Sequence, residues 1–95
     1  MKVNYTSSVT GNRTSARVDE NLWSIFSKVS RMTGLKESDS RANVEHWIKA
    51  FDKEYREWAD NLAPTFSAYI SMRLTQEILM DLSVMEDKQE RLKLA

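Results

Sequence analysis

Three residues punctuate this chain: Gly11, Gly34 and Pro64 are the only glycines and the only proline among its 95 residues. With so few positions suited to sharp turns, most of the chain must run in long uninterrupted segments, which favours extended helices. The expected fold class is therefore mainly α. Hydrophobic residues make up 41% and charged residues 29%, a balance that suits a single globular domain. At this length only about 60–65% of the unfolded chain's surface can be buried, so a monomer has a thin core and association would help it.

The apolar residues divide the chain at these punctuation points. Residues 1–12, MKVNYTSSVTGN, are polar and rich in Ser and Thr, with turn formers at Gly11 and Asn12, and read as a flexible amino-terminal arm. Residues 13–95 read as one helical domain. Arg13 to Val18 alternates, with Thr14, Ala16 and Val18 on one face and Arg13, Ser15 and Arg17 on the other, as expected of a short strand with one buried side. Asp19 is then placed as an N-cap. Leu22, Ile25, Phe26, Val29 and Met32 follow at steps of three and four, predicting a helix over about 19–33. After the connection GLKESDS, the set Val44, Trp47, Ile48, Phe51, Tyr55, Trp58 and Leu62 predicts a second helix over about 41–62. Pairs such as Asp52 with Arg56 are assigned to its solvent face. Pro64 breaks the pattern. Phe66, Tyr69, Ile70, Leu74, Ile78, Leu79, Leu82 and Met85 predict a third helix over about 65–86, followed by a charged tail expected to fray.

Cysteine is absent, which excludes disulfides, thiolate nucleophiles and zinc–thiolate sites and fits a reducing compartment. The expected location is the cytoplasm, since the first twenty residues lack an apolar run long enough for a signal peptide or a membrane span. The glycosylation sequons at Asn4 and Asn12 then count as chance. Catalysis has little support: the single histidine, His46, has no second imidazole with which to bind a metal, and no Gly-rich phosphate loop occurs. A solvent-facing histidine at a helix edge accounts for it. No enzyme activity, cofactor or metal is expected. Trp47 and Trp58 fall on the apolar stripe of the second helix and are read as packing residues; Trp23 borders the first stripe, where it could meet a second subunit. The methionines fill core space.

Fourteen basic and fourteen acidic residues cancel over the whole chain, which argues against indiscriminate nucleic-acid binding. They are unevenly placed, however. Residues 1–43 carry seven basic and four acidic residues, and residues 44–95 carry seven and ten, so any anion-facing surface belongs to the first half.

From Arg13 to Met32, a short alternating strand, then Val18-Asp19-Glu20-Asn21-Leu22-Trp23, then an amphipathic helix ending at Gly34, the sequence resembles the ribbon-helix-helix family of DNA-binding proteins. The likeness spans about residues 13–51. It departs from the family in its long connection at 34–40, in the small Ala16 on the ribbon, and in Glu37 and Asp39 near the expected phosphates. The resemblance implies a homodimer in which strands from two chains pair into an antiparallel ribbon that enters the major groove of double-stranded DNA. A lone strand needs such a partner, because it cannot satisfy its own backbone.

The resemblance implies that Arg13, Ser15 and Arg17 read bases, and that Lys36, Ser40, Arg41 and Asn43, around the amino end of the second helix, hold phosphates. Ala16, Val18, Leu22, Ile25, Phe26, Val44, Trp47, Ile48 and Phe51 would form the shared core. The third helix would extend that core or bind a protein partner. A transcriptional repressor, an antitoxin or an accessory protein of a mobile element would fit this description. The rival expectation is an all-α three-helix bundle with a disordered amino-terminal arm. Such a chain would act as a small protein-interaction module, an inhibitor or adaptor of a phage or plasmid, because its second and third helices carry more large apolar side chains than a small monomer readily buries.

Overall fold

A computed structural model describes residues 1–33 and 41–94. The chain is mainly helical, with a two-stranded antiparallel sheet followed by three helices. Strands β1 (Lys2–Thr6) and β2 (Arg13–Arg17) form a hairpin. Helices α1 (Glu20–Thr33) and α2 (Arg41–Glu54) come next, then a π-helical turn at Tyr55–Ala59 and the long α3 (Phe66–Leu94).

The hairpin corrects the first expectation. Residues 1–12 are not a free arm: Val3 pairs with Ala16 and Tyr5 with Thr14, so β2 finds its partner within its own chain. The reason for expecting a second copy, an unpaired strand, falls away with this. The connecting turn is closed by Ser7 N–H donating to the Asn12 carbonyl at 3.0 Å and by Gly11 N–H donating to the Ser7 carbonyl at 2.9 Å. Gly11 sits at φ +74°, a conformation that side chains with a Cβ rarely adopt. Val3, Tyr5 and Ser7 point inward with Ala16 and Val18, and the alternate residues point out.

Asp19 caps α1 as its position predicts, accepting from Leu22 N–H at 2.9 Å. The buried face of α1 is rotated from the predicted stripe, however. Trp23, Phe26, Ser27, Ser30 and Thr33 face the core, while Ile25 is 50% and Met32 61% exposed. Small hydroxyl residues are tolerated inside because they find partners: Ser30 Oγ donates to the buried Asp81 of α3 at 3.2 Å, and Thr33 Oγ1 to the Ser30 carbonyl at 2.9 Å. Periodicity weighed apolar content alone and so favoured Ile25 over Ser27. Trp23 packs within the core rather than against a second subunit, its ring centroid 5.2 Å from that of Phe26, which in turn meets the edge of Trp47 at 5.2 Å. Val18, Val44, Ile48 and Phe51 are buried within the single chain, and Leu22 and Trp47 are half-buried against the same cluster.

The second helix is shorter than predicted and changes winding at Tyr55. A π turn holds one more residue than an α turn, which advances the chain by one position. Ala59 therefore takes the buried place, and Trp58 is turned out to 62% exposure with Leu62 beside it at 53%. Tyr55 OH donates to the Ala63 carbonyl at 3.0 Å, fastening the reversal that follows. Thr65 caps α3 by accepting from Ala68 N–H at 3.1 Å, directly after Pro64. Helix α3 then runs to Leu94, past the predicted frayed tail.

The buried face of α3 is narrower than its apolar residues suggested. Tyr69, Ile70, Leu74 and Ile78 are inside, but Leu79 and Leu82 are exposed. Between α2 and α3, Glu54 accepts from Tyr69 OH at 2.7 Å and from Arg73 Nε at 3.0 Å, and Arg73 lies over the Phe51 ring at 5.2 Å. Burial, reinforced by the hydrogen bond to Glu54, pushes the Tyr69 phenol up to about 12.

The rotated face of α1 is directly testable by chemical denaturation. Phe26→Ala should cost about 3–5 kcal/mol, because it empties a fully buried aromatic site. Ile25→Ala should cost no more than about 1 kcal/mol. Equal losses would restore the predicted stripe.

Candidate nucleic-acid interface

Alternation along both strands gives the hairpin an outer face made of six side chains. In register, Lys2 lies opposite Arg17, Asn4 opposite Ser15 and Thr6 opposite Arg13, and all six are exposed. Three are cations, three are neutral hydrogen-bonding groups, and neither strand contains an acidic residue. Val18 N–H donates to the Met1 carbonyl at 2.8 Å, which sets the phase of the ladder. The outward-facing pairs are therefore the non-hydrogen-bonded ones, whose side chains approach most closely. Arg13 Nη1 reaches Thr6 Oγ1 across the strands at 3.4 Å.

Two grooves flank this face. One, of about 410 Å³, runs from Lys2, Ser15 and Arg17 to Thr65, Phe66 and Ser67 at the start of α3. The other, of about 290 Å³, places Arg13 beside His46 and Lys49 of α2, with Glu45 at the same edge. Hydroxyl groups thus continue beyond the strands on one side, and Lys49, with Glu45 near it, on the other.

What holds this face in place is Asp52. Its carboxylate is buried, 2% exposed, and takes hydrogen bonds from Tyr5 OH at 2.8 Å, Ser7 Oγ at 2.7 Å and Arg56 Nε at 2.8 Å. The solvent-facing ion pair read from the sequence is therefore one arm of a buried network. Burial alone would push the Asp52 carboxyl up, but the donors from Arg56, Ser7 and Tyr5, together with the Arg56 charge, hold it below its ordinary value. The Tyr5 phenol moves the other way, raised by burial and by its bond to the carboxylate.

The three residues predicted to read bases, Arg13, Ser15 and Arg17, stand together on the outer face of β2. Of the predicted phosphate holders, Lys36 and Ser40 lie outside the described residues. Arg41 and Asn43 fall in the first turn of α2, with their side chains also outside the described set. Lys2, Asn4 and Thr6 were missed because a Ser/Thr-rich segment was read as an arm. The signal that could have found them is their alternation with Val3 and Tyr5 ahead of the turn formers Gly11 and Asn12. Asp52 was missed because helical spacing cannot tell a solvated carboxylate from one covered by a distant strand.

Among the described residues, no group of His, Asp and Glu side chains is arranged to hold a metal ion, and no helix is long and apolar enough to cross a membrane. Compared with known proteins, the chain matches no family model, no curated protein and no solved structure.

Asp52 makes the seat of the hairpin sensitive to acid in one direction. A carboxylate whose folded pKa is depressed stabilises the fold fully above its unfolded pKa, about 3.9, and that stability is lost as pH falls through the folded value. Asp52→Asn should lower stability at neutral pH by about 1–3 kcal/mol, since it disturbs hydrogen bonds to buried hydroxyls. It should also flatten the acid limb of a stability profile measured by urea unfolding from pH 7 to pH 2. A variant with the wild-type slope would show that the carboxylate does not carry this dependence.

Proposed function

We propose that this chain binds double-stranded DNA by laying the outer face of its β-hairpin in the major groove. The single observation that carries this reading is the register that gathers Lys2, Asn4, Thr6, Arg13, Ser15 and Arg17 on one exposed, acid-free surface. The major groove admits a two-stranded ribbon, and its base edges present the acceptors and donors that arginine, lysine, asparagine and serine engage. In the groove beside Arg13, Lys49 would meet a phosphate that borders the ribbon. The zero net charge of the chain fits a local, steered contact rather than general adhesion.

This is a binding role rather than a catalytic one, and a repressor, an antitoxin or a mobile-element accessory protein would each use it. The ribbon is complete within one chain, so pairing of two chains is not required to build the reading surface.

A second reading, docking of a protein partner, is favoured by a different observation. The π turn exposes Trp58 and Leu62 at the mouth of a groove of about 220 Å³ that Met72 and Gln76 help to line, near the exposed Leu79 and Met80 of α3. Exposed tryptophan of this kind is enriched at the centres of protein interfaces. The two surfaces lie on different elements and can be tested separately.

A duplex library titrated at several salt concentrations tests the first reading. Affinity should fall steeply with rising salt. Arg17→Ala should weaken the selected duplex by about 1–3 kcal/mol if the side chain makes a paired contact to guanine, while Trp58→Ala should leave it unchanged. Wild-type protein that shows no salt-dependent duplex binding would remove the DNA role.

A further inference from the structure

Resting on the DNA reading above, we infer that one chain reads one short, asymmetric DNA element, and that Asn4, at the middle of the ribbon, sets the preference for an adenine within it. Symmetry carries the first part. Two identical strands from two chains make a ribbon with a two-fold axis, which demands a palindromic site. Here the strands are KVNYT and RTSAR. The three outward rungs, Lys2 with Arg17, Asn4 with Ser15 and Thr6 with Arg13, differ from one another, so the surface has two cations at one end and one at the other. Turned end for end, Lys2 exchanges with Arg13, cation for cation, but Arg17 exchanges with the neutral Thr6 and Asn4 with the shorter Ser15, so the surface is not two-fold symmetric. Four residue steps of strand cover about 13 Å, close to four base-pair steps.

Charge supports a ligand at the doubly cationic end. Lys2 and Arg17 face each other directly in a non-hydrogen-bonded rung, an arrangement that is destabilising for like charges. Neither makes a hydrogen bond or ion pair with any other described side chain. The acceptor edge of guanine or a phosphate would relieve that repulsion.

Asn4 carries the specificity. It is exposed at the centre of the face, it has no hydrogen-bond partner among the described side chains, and Ser15 opposite it is short enough to leave its carboxamide clear. A carboxamide donates to N7-side acceptors and accepts from the exocyclic amine of adenine in a paired contact that no other base completes in the major groove.

The test is selection of bound duplexes from a randomised library by the full chain and by Asn4→Ala, with stoichiometry on the selected duplex measured by native mass spectrometry. A one-to-one complex on a non-palindromic element is expected. Asn4→Ala should lose about 5- to 150-fold of its discrimination at one internal A·T pair and keep its preferences at the flanking positions. Matching circular dichroism melts would show that the variant is folded, and Asn4→Ser provides a second variant, smaller but still polar, that also lacks the carboxamide. Two chains on an inverted repeat, or unchanged selectivity in both variants, would overturn this inference while leaving DNA binding in place. Absence of duplex binding by the wild-type chain would overturn both.

Discussion

The carboxylate of Asp52 is where the two layers of the molecule meet. A two-stranded hairpin is marginal in isolation, and this one has only Val3, Tyr5, Ala16 and Val18 to offer an apolar core. Its inner face also carries two hydroxyls, those of Tyr5 and Ser7, that would be costly to bury alone. Asp52 accepts from both and is itself neutralised by Arg56 at the helix edge. Removing one partner strands the others, so strand, turn and α2 are mutually dependent. The outer face can be polar and cationic because the inner face is fastened by this network as well as by packing.

Polar groups serve a related purpose between α1 and α3. Ser27, Ser30 and Thr33 present a face of small residues to a helix that carries Asp81 and Glu77 inward. Small side chains let the helices lie close, and the satisfied hydroxyls keep the approach from leaving unpaired groups. The cost is apolar area: Ile25 and Met32 are left at the surface, so α1 contributes less hydrophobic stabilisation than its composition allows. The aromatic chain of Trp23, Phe26, Trp47 and Phe51 offsets this by joining α1 to α2 with rings at 5–6 Å separation.

The π turn adds a third local device. By advancing the chain one residue it seats Ala59 in the core and frees Trp58, and it gives the molecule an apolar surface on elements remote in sequence from the hairpin. A small chain thus presents two unlike surfaces: a polar cationic ribbon seated over α2, and an apolar edge where α2 gives way to α3.

Much of the architecture was legible in the residues. Few turn formers implied long helices; Asp19 and Pro64 marked a start and a break; and the alternation from Arg13 to Val18 placed the three outward side chains of β2 correctly. These signals are local, since capping, turn formation and side-chain alternation depend on neighbours a few positions apart. What the sequence did not determine were the pairings between distant segments. That Lys2–Thr6 would partner β2, that Asp52 would be covered by Tyr5 and Ser7, that α1 would turn Ser27 inward rather than Ile25, and that Trp58 would leave the stripe at a π turn were all decided by tertiary structure. Asp52 and Ser30 became acceptable inside only because Tyr5, Ser7 and Asp81 lie far along the chain, and Trp58 turned outward because the π turn adds one residue; periodicity encodes none of these.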